Sequence, residues 1–101
     1  MDSTQCRLLV VGKAGELGRF VRQEDWPPEF TEIEPLEITT TRRSWQFSSV
    51  GSPIPPLHLL AARWPQLTFL VNYDTGLVMG LAGLRGGTII DHPVVYPLPK
   101  R

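Results

Sequence analysis

Ten prolines stand in this chain of 101 residues, and their positions restrict its fold more than any other feature. Proline fixes φ and has no amide donor, so it is excluded from helix interiors and central strands. Pro27 and Pro28 stop any helix begun after the first apolar run, and Pro65 stops a second. Pro53, Pro55 and Pro56 fit only the first turn of a helix, where amide donors are unused. Pro93, Pro97 and Pro99 hold the C-terminal stretch extended. The prolines therefore bound two helices, one ending before Pro27 and one running from Pro53 to Pro65.

Residues 6–12 (Cys-Arg-Leu-Leu-Val-Val-Gly) read as a strand whose continuous apolar run predicts burial on both faces. Residues 14–24 read as a helix, with Leu17, Phe20 and Val21 on one face and Glu24 at the same spacing. Residues 25–35, bearing Asp25, Glu29, Glu32 and Glu34, read as a solvated acidic loop. Residues 36–50 alternate: Leu36, Ile38 and Thr40 against Glu37, Thr39 and Thr41, then Trp45, Phe47 and Ser49. This is period two, in one strand or in two joined near Thr41–Ser44. Ser52 and Pro53 announce a helix, in which Leu57, Leu60, Ala61 and Trp64 form one stripe. Residues 67–73 and 77–84 form a hairpin about Asp74-Thr75-Gly76. Gly86-Gly87 turns the chain into a short strand at Thr88–Ile90, and residues 91–101 are expected as a proline-rich extended tail. The order of elements predicts one α+β domain over residues 1–101. The expected architecture is a ferredoxin-like two-layer sandwich, a mostly antiparallel sheet with both helices on one face.

Composition narrows the possible roles. Ten Lys and Arg balance ten Asp and Glu. A neutral chain lacks the basic excess of a dedicated non-specific nucleic-acid binder, and nothing electrostatic opposes self-association. Cys6 is the one cysteine, so no internal disulfide forms. A lone thiol and a start without a signal-peptide pattern lead us to expect a cytoplasmic protein. No apolar run reaches membrane-spanning length, so no membrane association is expected.

Motifs that carry chemistry are sparse. Gly12, Gly15 and Gly18 follow the first strand and enter the first helix. That arrangement resembles the opening of an NAD(P)-binding short-chain dehydrogenase, whose glycines let backbone approach a pyrophosphate. The chain is too short for the remaining βα units, and an acidic loop stands where the second strand should be. The alternative reading is a tight turn at Gly12 and close helix packing at Gly18. The Walker pattern is absent. Cys6 opens a buried strand and is expected to be inert. His58 falls on an outward helix position and His92 in a turn, and neither completes a catalytic pair or a metal site. No catalytic residue, cofactor or metal is expected. Arg42 and Arg43, followed by Trp45 and Phe47, could serve single-stranded nucleic acid by phosphate contact and base stacking. Trp64 is expected in the core. Trp26, beside the prolines, is expected to be partly exposed and to mark a binding surface with Arg42, Arg43 and Trp45.

The run Ser52-Pro53-Ile54-Pro55-Pro56-Leu57, then Leu60-Ala61, then Trp64-Pro65-Gln66-Leu67-Thr68-Phe69 resembles the YubB-type ferredoxin-like domains of plasmids and phages. Phe47 and Ser49 match the preceding strand of that family, and Asn72-Tyr73-Asp74 with Gly80 and Gly83 match its hairpin. The resemblance covers residues 40–86. The family's Trp-Gly-Thr-Lys-Trp stretch is replaced by Arg42-Arg43-Ser44-Trp45. It implies a ferredoxin-like fold and a prokaryotic mobile-element origin, and supplies no catalytic residues. The first expectation for function is thus a non-enzymatic interaction module that binds a protein partner or forms a homodimer. The second is a nucleic-acid-binding accessory protein using Arg42, Arg43 and Trp45. The third is a small enzyme or nucleotide binder built on the glycine turn 12–18.

Overall fold

A computed structural model describes residues 3–23 and 25–95. Eight elements follow one another: β1 (Ser3–Val11), α1 (Ala14–Gln23), β2 (Phe30–Ile38), β3 (Arg42–Val50), α2 (Ile54–Arg63), β4 (Thr68–Asp74), β5 (Val78–Arg85) and β6 (Thr88–Val95). The strands form one sheet in the order β2-β3-β1-β4-β5-β6, and every neighbouring pair is antiparallel. The α+β class, the antiparallel sheet and the two helices agree with the sequence. The sheet is wider than expected, because β2 occupies most of the stretch expected as an acidic loop and β6 runs well beyond the short strand expected at Thr88–Ile90. No helix among the described residues is long and apolar enough to cross a membrane.

Four details of the sequence reading are corrected. First, β1 begins at Ser3 and buries only one face. Thr4, Cys6, Leu8 and Val10 point inward, while Ser3, Gln5 and Arg7 are exposed and Leu9 and Val11 half-buried. Second, the acidic stretch is not a loop throughout, since β2 starts at Phe30. Its register slips between Thr31 and Glu34 and again between Pro35 and Glu37, which scrambles the alternation a reader would look for. As an edge strand it tolerates Pro35, because one side of its backbone pairs with nothing. Third, the β2–β3 turn lies at residues 39–41, with both arginines already in β3. Arg42 receives the Thr39 amide at 2.9 Å and donates its own to Thr39 Oγ1 at 3.0 Å. Fourth, the expected tail is strand as far as Val95, with Pro93 again on an edge. Residues 96–101 lie outside the described residues, as does Glu24 at the predicted end of α1.

Both helices cover the sheet face bearing Leu8, Val10, Trp45, Phe47, Phe69 and Val71. Phe20 of α1 is the centre of this layer. Its ring meets Trp26, Trp45, Trp64 and Phe69 edge-on at centroid distances of 5.5, 6.0, 5.4 and 5.6 Å. Edge-to-face pairs at this spacing add about 0.5–1.5 kcal/mol beyond their area. The stripe on α2 behaves as its spacing predicts: Leu57, Leu60 and Ala61 are buried, and so is Trp64 just after the helix. α2 lies over β4 and β5, leaving β6 beyond the helical layer.

Candidate functional site

The four residues singled out from the sequence do not form one surface. Strand alternation sends Arg43 and Trp45 to the helix side, where they pair in register with buried Val10 and Leu8. Arg42 leaves β3 on the opposite side, opposite Val11. Trp26, half-buried, follows α1 and closes against Trp45 at 5.0 Å, edge to face. Trp26, Arg43 and Trp45 thus meet in a cavity of about 500 Å³ between the end of α1 and the β2–β3 ribbon. Ile33, Ile38 and Val21 complete its apolar wall, and Glu37 stands at its rim. Glu37 is engaged by Arg42 Nη2 at 3.5 Å. Arg43 Nε donates to the Thr39 carbonyl at 3.2 Å. Sequence reasoning missed the β2 residues of this cavity because it read most of β2 as loop.

The other sequence candidates resolve differently. A Cβ on Gly12 would lie 2.4 Å from Leu67 Cδ2, so the glycine makes room for a core side chain. Gly15 faces open space, and a Cβ on Gly18 would meet only Arg22 Nη1 at 3.3 Å. The expected close helix packing at Gly18 is therefore absent. Cys6 is buried, its Sγ donating to the Thr4 carbonyl at 3.6 Å. Burial pushes its thiol up to about 12, far from a reactive thiolate at neutral pH. His58 is half-buried on α2 rather than fully outward, and His92 sits in β6 opposite Leu81 rather than in a turn. Among the described residues no three His, Cys, Asp or Glu side chains gather to hold a metal ion. The acidic residues disperse: Asp25 binds Arg63 Nη1 at 2.6 Å, Glu32 accepts from Ser48 Oγ at 3.3 Å, and Glu34 accepts from Gln46 Nε2 at 3.0 Å.

The helix-free face of the sheet divides into two halves. Over β2, β3 and β1 it is polar: Gln5 Nε2 donates to Ser48 Oγ at 3.1 Å, and the Ser48–Glu32 and Gln46–Glu34 bonds continue the network to the edge. Over β4, β5 and β6 it is mainly apolar, with Asn72 and His92 on either side of Leu81. Leu70, Met79, Leu81, Ile90 and Val94 alternate with the inward residues of their strands and are 37–59% exposed. A shallow groove of about 350 Å³ lies between Leu9, Leu36, Leu70 and Leu81 where the halves meet. The sequence did carry a signal for this patch. In 77–84, apolar residues occupy both phases of the alternation (Leu77, Met79 and Leu81 against Val78, Ala82 and Leu84), which a strand with one wet face does not need.

Tyr73 holds the far edge of this apolar half in place. Its ring crosses the helix side of β5 at Gly80, and its hydroxyl donates to Asp91 Oδ1 on β6 at 2.8 Å. Burial, the hydrogen bond and the Asp91 charge together push the Tyr73 hydroxyl up to about 12. No family model, curated protein or solved structure matches the chain.

Proposed function

We propose that this chain is a non-enzymatic interaction module that self-associates by apposing the apolar halves of the helix-free faces of two copies. The observation that carries the reading is the row of half-exposed Leu70, Met79, Leu81, Ile90 and Val94 across three adjacent strands. Asn72 and His92 flank Leu81 on this face, and an exposed apolar cluster rimmed and interrupted by polar groups in this way is typical of an association surface. A second copy fits it best, because like meets like across a two-fold axis and a net charge of zero raises no barrier. Full burial of one such side chain is worth about 1.5–3 kcal/mol, and half of each is already buried. Two copies together gain on the order of 10 kcal/mol gross, against an association cost of about 4–15 kcal/mol. The dimer is accordingly weak and dissociates on dilution.

A nucleic-acid reading has less support, since Arg42 stands on the other side of β3 from Arg43 and Trp45. A catalytic reading of the glycine turn has less still, because Leu67 takes the space beside Gly12. We also read β1–β4 with both helices as a ferredoxin-like unit to which β5 and β6 are appended, a reading that the resemblance of residues 40–86 to the mobile-element families supports. The buried lone thiol of Cys6 suits the reducing cytoplasm, where we place the protein. Light scattering over a range of protein concentration tests the self-association. A mass rising toward twice the 11.3 kDa of the chain supports it, and a constant monomer mass at every concentration overturns it.

A further inference from the structure

The cavity at Trp26 is built like a ligand site rather than a packing flaw. Its volume of about 500 Å³ lies within the ~300–1,000 Å³ usual for small-molecule pockets. Its walls are two indoles set edge to face together with Val21, Ile33 and Ile38. Both register slips of β2 flank it, and β-bulges are frequent beside binding sites because they re-aim side chains. At the first slip Glu32 holds a φ of 55°, a left-handed conformation that non-glycine residues seldom adopt.

The charges at the rim are unequal. Glu37, in register with Ser44, is paired with Arg42, which leaves β3 on that same side. Arg43 is steadied through Nε by the Thr39 carbonyl, and no carboxylate among the described residues pairs with its guanidinium. An anchored guanidinium with terminal donors to spare is suited to receive a carboxylate through two parallel hydrogen bonds. An aromatic floor below it is suited to an apolar body.

We propose that this cavity binds a small monocarboxylic acid with an aromatic or branched apolar body, its head on Arg43 and its body against Trp26 and Trp45. The site lies on the helix side of the sheet, so it is separate from the self-association face. The two tryptophans report on it directly. Titrating the protein with 4-phenylbutyrate, 4-phenylbutan-1-ol and 4-phenylbutylamine, while following tryptophan emission, separates the contributions of head and body. The expected result is saturation by the acid at least about tenfold tighter than by the alcohol or the amine, the usual margin of a charge-assisted bond. Arg43→Gln should remove that preference with an unchanged thermal midpoint, while Arg42→Gln should keep it. No saturation at millimolar acid, equal binding of the three heads, or an Arg43→Gln variant that still prefers the acid would each overturn the proposal.

Discussion

Tyr73 and Gly80 show how closely single residues determine this sheet. A Cβ on Gly80 would lie 2.4 Å from both Cζ and Oη of Tyr73, so the ring can cross β5 only where no side chain stands. Gly80→Ala should displace the ring, break its bond to Asp91 and cost about 1–3 kcal/mol, measured as a lowered urea midpoint. Tyr73→Phe keeps the ring and loses only the hydroxyl, so its cost should be nearer 1 kcal/mol. The pH dependence follows from two buried acids. Cys6 rises from 9.0 to about 12 and Tyr73 from 10.0 to about 12 in the fold. A raised folded value means that the unfolded chain releases its proton first as pH climbs. Their contribution to stability is complete below pH 9 and drains away between pH 9 and 12. Denaturant titrations should show that alkaline fall, and the Cys6→Ala, Tyr73→Phe double variant should show a shallower one. From the sequence, Gly80 stands out only as a match to the family's hairpin. That it accommodates Tyr73 could not be read there, because the reason lies on a neighbouring strand.

Among the elements, the helices were the most legible and β2 the least. α2 follows a plain arithmetic, since prolines fix its start and Leu57, Leu60, Ala61 and Trp64 recur at helical spacing. The same spacing in α1 places Leu17 and Phe20 inward. β2 is hidden because its two slips break the period of two and because its outward glutamates resemble a loop. β6 is hidden by Pro93, which an edge strand accepts and a central strand does not. The candidate cavity was half legible. Trp26, Arg43 and Trp45 could be named from residue type, whereas the β2 side of the pocket depends on a strand the slips conceal. Arg42 was grouped with them by adjacency alone, and alternation separates neighbours in a strand. Because Phe20 binds α1 to Trp64 and to two central strands, Phe20→Ala should loosen both helices at once. A loss of about 3–5 kcal/mol in urea denaturation is expected. That is a large part of the ~5–15 kcal/mol that holds a domain of this size together.

The molecule is elongated, 52 × 26 × 22 Å along its principal axes. Both helices lie on one side of the sheet, which leaves its other face without helices, and β6 lies outside the helical layer. The polar half of that face satisfies itself through Gln5, Ser48, Glu32, Gln46 and Glu34. The apolar half has no such internal solution, which is why a second copy is assigned to it. The decisive measurement is sedimentation velocity on two variants that each introduce one carboxylate on a different face. Leu81→Glu places it in the middle of the apolar half, and Leu59→Glu places it on α2, where Leu59 is 68% exposed. The prediction is that Leu59→Glu associates as the unaltered protein does, while Leu81→Glu remains monomeric with an unchanged circular dichroism spectrum. A folded Leu81→Glu that dimerises as readily as the unaltered chain would contradict the assignment of this face.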